Sequence, residues 1–333
     1  MEFRSSIDGG LSLDNHQIIS RVNFARSVGC RVRRRISDWQ SYSNLTDRFR
    51  RSARRPCREC CPSQPEVAEG KRAGYLAIML HCFFDDSGTH AQSELAVWGG
   101  VVGATGHVAK LDAAWQSLLS EPLPGKAPIR KFGVGDCRWA EGDFQLYSPP
   151  ERDWTRNRFR STILDSGMKP FAFGVDRRAW DRIVTGDMRE AYATGASGVA
   201  FSGCADIAVR LAAYMPGSHM LCVFDQGQRS AENESLLVDA SARAKAHGVG
   251  VTFTFAAVKD VVGLQAADTI ATEHYWYGCD RQKDPEAPLP PHLRHLVTSV
   301  KTRAFFLDKP QIMKLRASYR RSLDDDPATT LRS

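Results

Sequence analysis

Three aspartates sit where a metal-assisted reaction would want them. Asp85 closes the apolar run LHCFFD (80–85), Asp225 closes HMLCVFD (219–225), and Asp268 lies in GLQAAD within a helical pattern. Asp86 follows Asp85 directly and leads into Ser87 and Gly88 of a turn. An Asp after a strand most often caps a turn or a helix. Two such residues gain another meaning if their strands are neighbours running the same way. Their carboxyl ends then meet at the edge where open α/β sheets place their sites. Carboxylates gathered there repel one another unless a cation or a shared proton neutralises them. Hard oxygen donors favour Mg²⁺ or Mn²⁺, so Asp85, Asp225 and Asp268 are the expected metal ligands.

The helix bearing Asp268 has two kinds of face. Gln265, Asp268 and Thr272 fall on one stripe, and Leu264, Ala267 and Ala271 make the opposite, apolar one. Gln265 is thereby a substrate-contact candidate, or a partner for a loop backbone. Lys259, just ahead of this helix, is placed to face a phosphate, and Ser87 in the DDSG turn is a further contact candidate. Ser87 is not surrounded by a Gly-x-Ser-x-Gly elbow, which argues against a serine nucleophile.

The elements that must position these residues can be read from periodicity. Strands are expected at 80–85, 94–103, 169–175, 219–225 and 251–256. Helices are expected at 106–120, 151–165, about 190–215, 231–247 (closed by Gly248) and 262–277, with another after Pro290–Pro291. Alternation in the second half predicts parallel pairing with helices on both faces. The first three strands read as an antiparallel set, with 105–167 inserted as an elaboration. The expected fold is α/β, a mixed five-stranded sheet flanked by helices.

At 333 residues and 42% hydrophobic, the chain can bury a full core in one large domain or two. No run of 18 apolar residues and no secretory signal is evident, so a soluble cytoplasmic protein is expected. The nine cysteines form no small-scaffold framework. Cys82, Cys204 and Cys222 sit within apolar patterns and read as reduced core thiols. The net charge of +7 lies wholly upstream of Met79, because residues 1–78 hold 14 Arg and one Lys against 8 acids while the remainder balances at 30 of each sign. That first segment reads as a disordered extension, or as translation upstream of a true start at Met79. A basic arm for nucleic acid, or a zinc knuckle at Cys57, Cys60 and Cys61, is the competing reading. The body is taken as 79–320, and 321–333 as a loose tail.

With these residues in hand, the chain resembles a bacterial and phage group, domain-of-unknown-function family 3800. FFDDSGTH, GGVV, AAWQSLL, VFDQG and GLQAADTIA carry the resemblance, which covers roughly 79–280. The family's middle motif, resembling Phe-His-Met-x-Asp, is matched by KFGVGDCRWAEGDF through Phe132, Asp136 and Phe144, with Gly133 standing in the His position. The resemblance implies a ribonuclease H-like fold. In that fold, carboxylates from the first strand, the fourth strand and the last helix bind two divalent ions for phosphodiester cleavage. Asp86 and Asp136 join the candidate catalytic set on this basis. Asp206 and Glu190 are the candidates for a further carboxylate on the first long helix.

Two functions compete. One is a metal-dependent nuclease or other phosphoryl-transfer enzyme with nucleic acid as partner. The other is a non-catalytic module of the same fold, binding nucleic acid or protein in mobile-element or defence biology, a reading favoured by Gly133. A hydrolase using His90 or His274, and base stacking on Tyr275, Trp276 and Tyr277, are weaker alternatives to structural roles for those residues.

Overall fold

The computed structural model describes residues 79–90, 92–213, 219–291, 293 and 303–324. The basic segment with its cysteine cluster, and the stretch after Pro291 read as a helix, lie largely outside these residues. Strands β1 (Met79–Ser87), β2 (Leu95–Ala104) and β3 (Lys169–Asp176) form the antiparallel set expected. β4 (His219–Asp225) pairs parallel with β1, and β5 (Gly250–Ala256) parallel with β4. The sheet has six strands rather than five. β6 (Arg303–Leu307) pairs parallel with the outer edge of β3, giving the order β5-β4-β1-β2-β3-β6. Apart from that added edge strand, the order and directions are those of the ribonuclease H-like fold.

The period-2 alternation of the strands sorts the core onto two faces. Leu80, Cys82 and Phe84 of β1 join a cluster with α4 (Arg177–Ile183), α5 (Asp187–Ala191), α6 (Gly195–Ala213), α7 (Ala231–Ala246) and α9 (Lys309–Asp324). Phe83 and Val223 point the other way. They pack with α1 (Thr105–Ser120), α2 (Val134–Trp139), α3 (Pro149–Asp165) and α8 (Val262–Lys283). The inserted segment therefore covers one sheet face together with α8. Cys82, Cys204 and Cys222 are buried free thiols in the opposite core, and α9 runs through Asp324 into the stretch read as a tail. By length and average composition alone α6 is long and apolar enough to cross a membrane, but 67% of that stretch is buried here, with Phe201, Cys204 and Ala208 set into the core.

Local chemistry explains the principal helix ends. Ser148 and Glu151 form a reciprocal capping box at the start of α3, with Pro149 and Pro150 in its first turn. Ser230 caps α7 by accepting from the Asn233 amide, and Gly248 follows its end at φ +70°.

The contact that matters most for function is between α8 and β2. A methyl placed on Gly99 would come 2.4 Å from the Ala271 backbone nitrogen and 2.6 Å from its Cα. Glycine inside a strand marks such close backbone approach. Gly99 is also the register partner of Asp85. The glycine thus lets α8 settle onto the sheet beside Asp85, one helical turn from Asp268. Gly99→Ala is expected to destabilise the protein by about 1–3 kcal/mol, because the atoms it meets are helix backbone that cannot rotate away. Urea denaturation of the two proteins measures this, and equal midpoints would show that the helix yields freely.

Candidate carboxylate site

Asp85 and Asp225 arrive together by register. Phe84 lies opposite Phe224 on parallel β1 and β4, so the next residues of both strands are neighbours, about 4.8 Å apart along the hydrogen-bonding direction. Both share the parity of Phe83 and Val223, which face α8. Asp85 is 8% exposed, and its Oδ1 accepts from the Asp86 amide at 2.8 Å. Burial, followed by the charge of Asp268, pushes its carboxyl up to about 9; Asp86 and Asp225 add to this, while the amide bond opposes it.

Asp268 descends from α8 toward the same place. Its pKa is pushed to about 6, chiefly by burial and additionally by Asp136, while the Thr272 hydroxyl, the Val134 amide and Lys131 hold it down. Thr272 donates to its Oδ1 at 3.2 Å. Asp86 lies on the alternate side of β1. Its carboxyl is raised, first by burial and then by Asp225, against the hydrogen bond donated by the Thr89 hydroxyl. Asp225 also has the ordinary turn role considered for it, accepting from the Gly227 amide at 3.1 Å.

The insertion contributes one more carboxylate. Asp136, on α2, acts on Asp268 and has Lys131 at 3.8 Å. A Cβ at Gly133 would sit 2.7 Å from Asp136 Oδ2, so residue 133 borders this carboxylate directly. Asp206 and Glu190 are elsewhere. Asp206 is paired with Arg243 of α7 at 2.8 Å in the opposite layer, and Glu190 is exposed on α5. Neither is among the groups that chiefly shift Asp85 or Asp268.

Gln265 is not laid open to a substrate. It is 2% exposed, and its Oε1 accepts from both Trp115 Nε1 and the Phe132 amide, each at 3.0 Å. It is a clasp between α8 and the insertion. A buried Arg160–Glu273 ion pair joins α3 to α8 farther along, and Arg138 stacks 4.0 Å over the Trp276 ring. These three contacts fix the insertion on the helix and so hold α2 against Asp268. Nothing in the sequence pattern distinguishes Gln265 from a site residue, since it shares the Asp268 stripe.

The remaining candidates are placed as follows. Ser87 is half-buried at the end of β1, opposite Val97. Lys259 is exposed on the turn Val258–Asp260. His90 is exposed, with its carbonyl accepting from Arg177. His274 is buried, and its Nδ1 donates to the Ile270 carbonyl at 2.7 Å. Tyr275 packs on Gly88 and accepts from Ser93, a structural role.

The chain is a mixed α/β protein of ribonuclease H-like topology, with an acidic cluster where parallel strands end beneath α8. Among solved structures it is similar to the RNase HII of Archaeoglobus fulgidus, solved as a PCNA:RNase HII complex. That match has 14% identity and a TM-score of 0.36, covering 66% of this chain and 86% of that one. It is similar also to Bst-RNase HIII in complex with Mn²⁺ and to a mutant form of that protein. Each has 14% identity and a TM-score of 0.35, covering 71% of this chain and 64% of the other. No protein-family model matches the chain, and no curated protein matches it.

Proposed function

We propose that the chain is a divalent-metal-dependent nuclease or related phosphoryl-transfer enzyme, and that it belongs to domain-of-unknown-function family 3800. The observation that carries the reading is Asp85. Burial and the surrounding carboxylates of Asp268, Asp86 and Asp225 push it to about 9, an arrangement that a cation would relieve. The donor set is all carboxylate oxygen, which suits Mg²⁺ or Mn²⁺. Among the described residues no group of three such side chains stands at ready-made ligand spacing. Carboxylates without a cation between them are expected to hold apart by repulsion.

Asp85, Asp225 and Asp268 would hold the metal, which supplies activation of a water and stabilisation of the leaving oxygen. The chain's own residues set the geometry. The Asp86 amide orients Asp85, Gly227 orients Asp225, and Thr272 orients Asp268. Asp86 and Asp136, at the margins of the cluster, would be the candidates to take up a proton from the attacking water. A specific observation favours the second reading, a non-catalytic nucleic-acid- or protein-binding module: Gly133 leaves no imidazole beside Asp136.

The test is cleavage of labelled single- and double-stranded DNA and RNA by the full chain with Mg²⁺ or Mn²⁺. The expected result is turnover lost on adding EDTA and in Asp225→Asn. Turnover that survives either, or none on any substrate with either metal, would sink the enzymatic reading.

A further inference from the structure

Beside the carboxylates, the insertion and the turn Val258–Asp260 border an open cleft of about 430 Å³ lined by Arg130, Lys131, Lys259 and the carboxylates of Asp136, Asp143 and Asp260. Asp136 ties it to the acidic cluster through its action on Asp268. The three cations in its walls are not equivalent. Arg130 is committed to Asp143, to which its amide and guanidinium donate at 3.0 and 3.3 Å. Lys131 stands 3.8 Å from Asp136, too far for a hydrogen bond, with its side chain 54% exposed. Lys259 is exposed and has no ion-pair or hydrogen-bond partner among the described residues.

Both lysines are tied through the backbone to the helix that carries Asp268. Lys131 precedes Phe132, whose amide is held by Gln265 of α8. Lys259 precedes α8 in the chain, across a turn closed by the Asp260 amide bonding the Ala257 carbonyl at 3.0 Å. Two ammonium groups thus face one cleft from separate walls, and the backbone of each is set by the helix that also sets a catalytic candidate. Lysine binds phosphate as a point charge and needs no fixed fork geometry.

We propose that Lys131 and Lys259 hold a backbone phosphate of a single nucleic-acid strand next to the carboxylates, making the insertion one wall of the substrate site. The inference rests on reading those carboxylates as a nuclease centre. A single strand is favoured over a duplex by the charge distribution. The chain from Met79 on carries equal numbers of basic and acidic residues, 30 of each, whereas a duplex binder commonly neutralises about 6–10 phosphates. One unpaired cation, Lys259, and one in a long, half-exposed ion pair, Lys131, suit one or two phosphates of one strand. Asp136, Asp143 and Asp260 line the same cleft and repel the more highly charged free inorganic phosphate more strongly than a singly charged phosphodiester.

The test is fluorescence anisotropy of the full chain with fluorescein-labelled oligothymidylate and oligouridylate, and with the oligothymidylate annealed to oligoadenylate. All titrations are run in EDTA across a series of salt concentrations. Lys131→Ala and Lys259→Ala are each expected to reduce the slope of log affinity against log salt by roughly 0.7 on the single strands. Lys245→Ala, an exposed lysine of α7 on the far face, is expected to leave it unchanged. Residues 1–78 contribute equally to every protein and cancel in the comparison. Unchanged slopes in both variants, or no wild-type binding at low salt, overturn the proposal. An equal reduction on the duplex overturns the single-strand assignment. Cleavage of the same strands with Mg²⁺ is scored separately. Slopes that fall in a protein that never cleaves sink the nuclease reading and leave the phosphate site standing; cleavage with unchanged slopes does the reverse.

Discussion

Millimolar Mn²⁺ or Mg²⁺ should raise the melting temperature of the wild-type chain by roughly 5–10 °C, and should do nothing for Asp85→Asn, Asp225→Asn or Asp268→Asn. A ligand at about 100 times its dissociation constant stabilises a folded protein by roughly 2.7 kcal/mol. In a domain of this size each kcal/mol is worth about 2–4 °C. The expectation follows from the origin of the pKa shifts. Asp85 is raised by burial and by the charges of Asp268, Asp86 and Asp225, and a divalent cation among them reverses the sign of the local field. Because the metal displaces the Asp85 proton, its apparent affinity should strengthen as pH rises toward about 9. Differential scanning fluorimetry with a metal titration at two pH values measures both effects. A wild-type melt indifferent to saturating metal would remove the preformed metal centre and leave the binding-module reading ahead.

Much of this site was legible in the sequence because strands have a strict period of two. An apolar run that ends in Asp fixes both the end and the face of its last side chain, and the parallel register of β1 with β4 did the rest for Asp85 and Asp225. Asp268 was legible as a polar residue on a small-residue helix. Gln265 shares that stripe, yet points into packing. The insertion covers α8 on its outer side, and a helix buried on nearly all sides no longer separates a functional face from a structural one. The sixth strand was missed because RAFFL is short and pairs at an outer edge with a strand far back in the sequence. α4 and α5, of seven and five residues, are too brief for helical periodicity to register. The additional carboxylate near Asp268 was sought on the first long helix, where Asp206 is instead bound to Arg243. The carboxylate that acts on Asp268 is Asp136 of the insertion, already a candidate through its motif, and the fold supplies its place beside α8.

In metal-free protein the same carboxylates should make stability fall as pH rises, and Asp85→Asn should remove most of that fall. The sign follows from proton counting. Asp85 has a folded-state pKa of about 9 against an ordinary value of 3.8, so between those limits the folded chain binds more protons than the unfolded one. Stability then declines with rising pH across that window and levels off above it. Asp268, at about 6 against 3.8, adds a shorter decline that ends near pH 6. At pH 7 the solution lies about three units above the ordinary carboxylate value, and each unit is worth 1.36 kcal/mol, so keeping Asp85 protonated costs the fold about 4 kcal/mol. Asn keeps the oxygen that accepts the Asp86 amide and carries no titrating charge. The variant should therefore melt about 10 °C above wild type at pH 7 in EDTA, with the two converging near pH 4. The same substitution would abolish the metal response, so one residue would be costly to the empty fold and needed by the loaded site. That opposition is what distinguishes a functional carboxylate from a structural one. Urea melts of both proteins in EDTA from pH 4 to pH 9 decide it. Parallel curves would mean that the folded protein relieves the charge on Asp85 by other means, and the case for a strained acidic centre would fall with that result.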